Sequence, residues 1–213
     1  GIGDGRVRSS FVMTEPHPGS GSDPAMTLTR AERRSDRWVV HGRKWFITGA
    51  EGAQTFVLIA KTSDDPRKGL TAFLHHRDDP GWRVERRIPI MGPEEHGGHC
   101  DLVYDGLEIR DESRLLNVGD GLKVTQIRLG TARLTHCMRW LGLAKRSLAI
   151  ALDYTEVRMA AAGRRLADLD SVRSLLGESA MQIEIGRLLT MRAARKLDMG
   201  DFARREVSMA KVV

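Results

Sequence analysis

The strongest constraint on this chain is where proline stops. The chain holds seven prolines, the last is Pro93, and beyond the stretch Asn117-Val118-Gly119-Asp120-Gly121 it is dominated by Ala, Leu, Arg and Met. Proline removes a backbone donor and clashes inside a helix, so its absence leaves room for long helices. Ile127, Leu134, Met138, Leu141, Leu148 and Leu152 recur at helical spacing. They predict a helix from Leu122 to about Val157, on the order of 50 Å long at 1.5 Å per residue. Gly163 and the run from Asp168 to Ser171 predict a break with N-cap residues for the next helix. Val172, Leu176, Ile183, Leu189, Ala193 and Leu197 outline that second helix, with Gly200 in the position of a C′ glycine. A third helix is predicted to begin near Asp201. Two long helices and a fragment cannot bury all their apolar faces alone, so neighbours in the same fold or another subunit are expected.

Ahead of the break the pattern is that of strands. Val7 to Met13 leads into a loop, and Met26-Thr27-Leu28-Thr29 alternates after it. Trp38-Val39-Val40 and Lys44-Trp45-Phe46-Ile47-Thr48 flank His41-Gly42, which predicts a tight hairpin turn. Phe56 to Ala60 is a continuous apolar run fitting a buried strand. Leu70 to Leu74, Trp82 to Val84, Leu102 to Tyr104 and Leu107 to Ile109 continue the series. Short strands without intervening helices predict a β-barrel or sandwich. The expected organisation is a β-rich domain over residues 1–118 and the start of a helical bundle domain over 119–213.

The loop is Met13-Thr14-Glu15-Pro16-His17-Pro18-Gly19-Ser20-Gly21-Ser22-Asp23. Its glycines admit backbone angles closed to other residues. Successive bare N–H groups and hydroxyls are suited to cradling an anion such as a pyrophosphate. Taken alone, it reads first as a surface turn joining two strands.

Composition narrows the class. With 213 residues and 41% hydrophobic content, the chain can bury a core. No apolar run reaches the ~18 residues of a membrane span. Two cysteines, Cys100 and Cys137, carry neither a disulfide framework nor a zinc spacing, and a reduced, cytoplasmic setting is expected. His96, His99 and Cys100 lie close together, but the pattern lacks the second ligand pair of a closed zinc site. The net charge of +6 is scattered and interleaved with acids, with no run of five or more, so it reads first as a solvated face and also suits anionic ligands.

Three ordered blocks carry a family resemblance. Met-Thr-Glu-Pro followed by Gly-Ser-Asp at residues 13–23 resembles the flavin and acyl-CoA loop of the acyl-CoA dehydrogenase family. His41-Gly42-Arg43-Lys44-Trp45-Phe46-Ile47-Thr48-Gly49 resembles its "N-G-x-K-x-W-I-T-N-G" block. Arg133-Leu134-Thr135-His136-Cys137-Met138-Arg139 resembles the start of its long C-terminal helix. The resemblance implies an α+β fold with a β middle domain followed by long antiparallel helices. It covers the middle and later parts of a family member, so the sequence is expected to be an internal portion of a longer protein.

The same resemblance implies an FAD-dependent enzyme that α,β-desaturates acyl-CoA thioesters, works as a homodimer or homotetramer, and passes electrons to an electron-transfer flavoprotein. It implies cofactor contacts at Phe11, Met13, Thr14, Phe46, Ile47, Thr48 and Arg158. It implies substrate contacts at Ser20 or Ser22 and at Arg133. Phe46 stands where better-known members carry Trp. After Arg158 the usual Thr-Phe-Gly gives way to Met159-Ala160-Ala161-Ala162-Gly163, and Asp170 stands where the family often has Gln. The α-proton-abstracting carboxylate has one family position just before the arginine matching Arg133, and here that is Ala132. The base is therefore expected after Val213. Two alternatives keep the fold: a non-catalytic assembly module that has lost FAD, and a DNA-binding relative.

Overall fold

Trp38, Val40 and Ile47 belong to one long strand, not to two. In the computed structural model, which describes residues 3–92 and 97–212, eight strands form the first sheet. They are β1 (Ser9–Val12), β2 (Arg30–Arg34), β3 (Arg37–Thr48), β4 (Thr55–Lys61), β5 (Leu70–His76), β6 (Trp82–Arg87), β7 (His99–Arg110) and β8 (Arg114–Leu115). β3 is 12 residues long and passes through His41–Gly42, so the hairpin expected there does not form. The turn lies earlier, where Arg34 pairs with Arg37 and Ser35 takes a φ of 58°. Gly42 serves close approach instead, since an added Cβ would come within 2.5 Å of Thr29 Oγ1. Its pairing with β7 slips register between Val40 and His41, a bulge that bends the strand.

The strand expected at Met26–Thr29 is also replaced. Pro24–Met26 is one 3₁₀ turn whose N-cap, Asp23, accepts from the Ala25 N–H at 2.9 Å. Pro24 cannot donate to a ladder and fixes its φ, which favours a turn there.

The sheet runs β6-β7-β3-β2-β4-β5-β8, with β1 parallel to β4. Among the described residues no pairing joins β6 to β8, so the sheet stays open and sandwich-like and does not close into a barrel. Its two halves share one core: Trp38, Val40, Ile47, Leu102 and Leu107 pack with Val12, Phe56, Leu58, Ala60 and Phe73. Each such side chain, fully buried, stabilises the fold by about 1.5–3 kcal/mol.

The chain divides into two compact units, Gly1–Gln126 and Ile127–Val213. Helix α1 (Gly121–Val157) is 37 residues long and starts within the first unit. There the Gly119 N–H donates to Thr71 Oγ1 at 3.0 Å, and Val124 packs against Ile59, Leu70 and Ala72. Gly121 faces the β5 backbone so closely that an added Cβ would lie 2.7 Å from the Thr71 nitrogen.

In the second unit, α1 ends in a small exposed hairpin of β9 (Met159–Ala161) and β10 (Arg164–Arg165), turned by Gly163 at φ 73°. Helix α2 (Asp170–Asp198) returns antiparallel to α1. Leu134 of α1 meets Ala193 of α2, while Leu148 and Leu152 lie across from Leu176 and Ala180. Gly200, at φ 82°, closes α2 as expected. Helix α3 (Arg204–Val212) starts three residues later than Asp201, because the Asp201 carboxylate accepts from the Ala203 N–H at 3.0 Å ahead of it. Met138, Trp140, Leu143 and Ile150 of α1 and Leu175, Leu188 and Met191 of α2 remain exposed.

Candidate functional site

The loop after β1 is held by a buried ion pair. Lys44 lies at an inward position of β3, its side chain fully buried, and its ammonium is 2.9 Å from a Glu15 carboxylate that is 2% exposed. The same ammonium donates to the Met13 carbonyl at 2.8 Å. Glu15 also accepts from the backbone N–H groups of Leu28 at 2.6 Å, Thr29 at 2.9 Å and Ser20 at 3.4 Å. One carboxylate thus ties both ends of the loop to β3. Burial works to raise the Glu15 carboxyl, but the Lys44 charge and the bonds from Thr29, Lys44 and Leu28 outweigh it and hold it below its ordinary value. Burial pushes the Lys44 ammonium down to about 8, against the opposing pull of Glu15. Gly19 lies against this carboxylate, with no room for a side chain.

The loop's serines divide. Ser20 is fully buried, its N–H directed to Glu15 and its hydroxyl donating to the Met13 carbonyl at 3.1 Å. These bonds serve the loop's own fold. Ser22 is exposed.

Beside the loop, β3 ends irregularly. The Trp45 N–H donates to the Thr14 carbonyl at 2.9 Å, which brings Thr14 against this stretch. The pairing with β7 is interrupted between Lys44 and Ile47. At that interruption Phe46 takes a φ of 51°, a left-handed conformation rare for a bulky residue. The residue is 44% exposed, and its ring meets Trp45 edge-on, with centroids 4.9 Å apart. Ile47 points the other way and is buried in the core, so its side chain is packing and only its backbone can meet a ligand. Thr48 is exposed, with its hydroxyl oxygen 3.0 Å from His99 Nδ1. Phe11 and Met13 are partly buried against Ile59, Leu70 and Ala72.

In the second unit, Arg133 and Arg158 are exposed on α1 and just past its end. The Arg158 N–H continues the helix to the Tyr154 carbonyl at 2.9 Å, and its own carbonyl accepts from Leu166 at 2.8 Å. His96 lies outside the described residues. His99 faces Thr48, and the Cys100 thiol donates to the Gly97 carbonyl at 3.4 Å.

Sequence reasoning missed the Glu15–Lys44 pair and the His99–Thr48 contact. A signal for the burial of Lys44 was present: it falls on the same alternation as the apolar Trp38 and Val40 of its strand. None pointed to the second, since β3–β7 pairing is not local in sequence.

Comparison with known proteins places this architecture. Residues 10–107 match the family model described as the acyl-CoA dehydrogenase middle domain, and residues 119–213 match that of the acyl-CoA dehydrogenase C-terminal domain. A probable acyl-CoA dehydrogenase, FadE2, of Mycobacterium tuberculosis is 34% identical over 99% of this chain and 53% of its own length. The solved butyryl-CoA dehydrogenase of Megasphaera elsdenii superposes with a TM-score of 0.85 at 28% identity, covering 97% of this chain and 54% of that one. An FAD complex of the protein PigA gives 0.86 at 25% identity, with 97% and 53% covered. The chain therefore spans about half the length of these relatives. Two adjacent domains of one family, in order and over nearly every residue, lead to one conclusion: this chain belongs to the acyl-CoA dehydrogenase family.

Proposed function

We propose that the chain supplies flavin-contacting residues of an FAD-dependent enzyme that α,β-desaturates an acyl-CoA thioester. The observation that carries the reading is Phe46. A bulky residue held at φ 51° costs on the order of 1–3 kcal/mol and persists where the surrounding structure imposes it. Here the imposed geometry turns an aromatic ring outward, beside the exposed Thr48 hydroxyl and the Thr14 backbone. A flat apolar face flanked by hydrogen-bonding groups fits an isoalloxazine ring. FAD, when bound, accepts the electron pair leaving the substrate.

The chain's own residues then bind and orient. Phe46 packs on the ring, and Thr14 and Thr48 give it hydrogen bonds. Ser22, Arg133 and Arg158 offer polar and cationic contacts for phosphate-bearing ligands. Ala132 has no proton-accepting group, and we place the α-proton base outside these 213 residues. The exposed apolar faces of α1 and α2 support burial against further helices or a second copy. By the same resemblance we expect an electron-transfer flavoprotein to take the electrons onward.

The competing reading, an assembly module without FAD, draws on the exposed hairpin at Met159–Arg165 that stands in place of the family's Thr-Phe-Gly. FAD bound by the full-length wild type rules out the second reading, and Thr48→Val then tests the contact. One lost hydrogen bond is worth on the order of 1 kcal/mol, so FAD binding should weaken about fivefold. Unchanged FAD affinity in this variant counts against the flavin assignment.

A further inference from the structure

Thr48 has a partner at the end of β3. Its register neighbour on β7 is His99, and His99 Nδ1 lies 3.0 Å from the Thr48 hydroxyl oxygen. Both backbones are fixed. The Thr48 carbonyl accepts from the Ser10 hydroxyl at 2.9 Å, and the His99 carbonyl accepts from the Ile88 N–H at 2.7 Å. The side chains therefore meet in a set geometry.

A hydroxyl holds one proton and can also accept one, whereas an imidazole nitrogen does one or the other according to its protonation. An Nδ1 that carries a proton donates to Thr48 and turns the hydroxyl's own proton outward. An Nδ1 without one takes that proton and leaves Thr48 with lone pairs to offer. An imidazolium carries protons on both nitrogens, so protonation selects the first arrangement. Among the described residues, the charged groups on flanking elements are already engaged. Arg87 of β6 is paired with Glu51, in the turn after β3, and Arg86 of β6 and Arg43 of β3 are paired with Asp101 of β7.

We propose that His99 is a positioning residue, setting whether the Thr48 hydroxyl donates to the flavin ring or accepts from it. This rests on the placement of Thr48 against the flavin. The N5 edge of an oxidised isoalloxazine ring offers a bare nitrogen and a carbonyl oxygen, both acceptors. A Thr48 hydroxyl whose proton is turned outward by a donor at His99 therefore binds oxidised FAD better.

The test is the dissociation constant of oxidised FAD from the full-length apoprotein, followed by flavin fluorescence, for wild type, His99→Gln, His99→Phe, Thr48→Val and the double variant His99→Phe/Thr48→Val. His99→Phe should weaken binding on the order of fivefold, and His99→Gln, which keeps a hydrogen-bonding group beside Thr48, should recover most of that loss. In the Thr48→Val background His99→Phe should have no further effect, because the hydroxyl it acts through is gone. The same weakening by His99→Phe in both backgrounds, or His99→Gln binding as weakly as His99→Phe, overturns the proposal and leaves the flavin assignment standing. Thr48→Val binding FAD like wild type overturns both, as does a protein that binds no FAD.

Discussion

Replacing Lys44 by Met tests the buried pair on which the loop depends. The substitution keeps the length of the side chain and removes its charge inside a site where both partners are shielded from water. Glu15 is then a buried carboxylate that has lost its cation and keeps the N–H groups of Leu28, Thr29 and Ser20. It has two ways out. It can stay ionised, and breaking one side of a buried pair costs about 3–5 kcal/mol. It can take up a proton, and at pH 7 that costs about 1.36 kcal/mol for each of the roughly 2.7 units separating pH 7 from an ordinary glutamate at 4.3, or about 3.7 kcal/mol. The Met13 carbonyl loses a donor in either case. Both routes give about 3–5 kcal/mol, which for a chain of this size is a fall in melting temperature of roughly 6–20 °C. The loss should shrink as pH is lowered toward 4, because the proton becomes easier to take. The double variant Glu15→Gln/Lys44→Met should recover part of it, since no charge is left stranded. The assay is thermal unfolding of the three variants beside wild type at pH 7 and pH 5. Lys44→Met melting within 2 °C of wild type, or a double variant less stable than Lys44→Met, would refute the reasoning.

Two further outcomes follow from the same structure. Phe46→Gly removes a left-handed strain of about 1–2 kcal/mol along with an exposed ring, so it should leave the melting temperature unchanged or a few degrees higher while weakening FAD binding; a loss of the 3–5 kcal/mol typical of core Phe removal would contradict that account. Asp101 is a fully buried carboxylate that Arg43 and Arg86 hold below its ordinary value; a depressed folded-state pKa gives stability that is present above the ordinary aspartate value near 3.9 and is lost as pH falls through the depressed one, so wild type should lose stability below about pH 4 more steeply than Asp101→Asn in acid melts, and parallel slopes would contradict the pairing.

The long features of the fold were legible in the sequence, and the close-range ones were not. The span of α1 and the glycine closing α2 follow from periodicity and proline absence, which act along the chain. The His41–Gly42 hairpin was misread because a glycine between two apolar runs signals either a turn or a close backbone approach, and only Thr29, 13 residues earlier, decides between them. Lys44 falls on the alternation of Trp38 and Val40, but its partner Glu15 is brought to it only once the loop folds back on β3. The left-handed Phe46 leaves no mark in the sequence, because a bulge is set by pairing between β3 and β7. Thr14 and Thr48 were singled out by resemblance, while the His99 ring that meets the Thr48 hydroxyl lies 51 residues on.

The central claim is that this chain belongs to a working flavin-dependent acyl-CoA dehydrogenase, and the visible absorption spectrum of the purified full-length protein tests it most directly. The spectrum should show bound FAD, about one per chain, and the flavin band should bleach when acyl-CoAs are added one by one without oxygen. A colourless protein that takes up no FAD on reconstitution, or a flavin band unmoved by every acyl-CoA supplied, would contradict it.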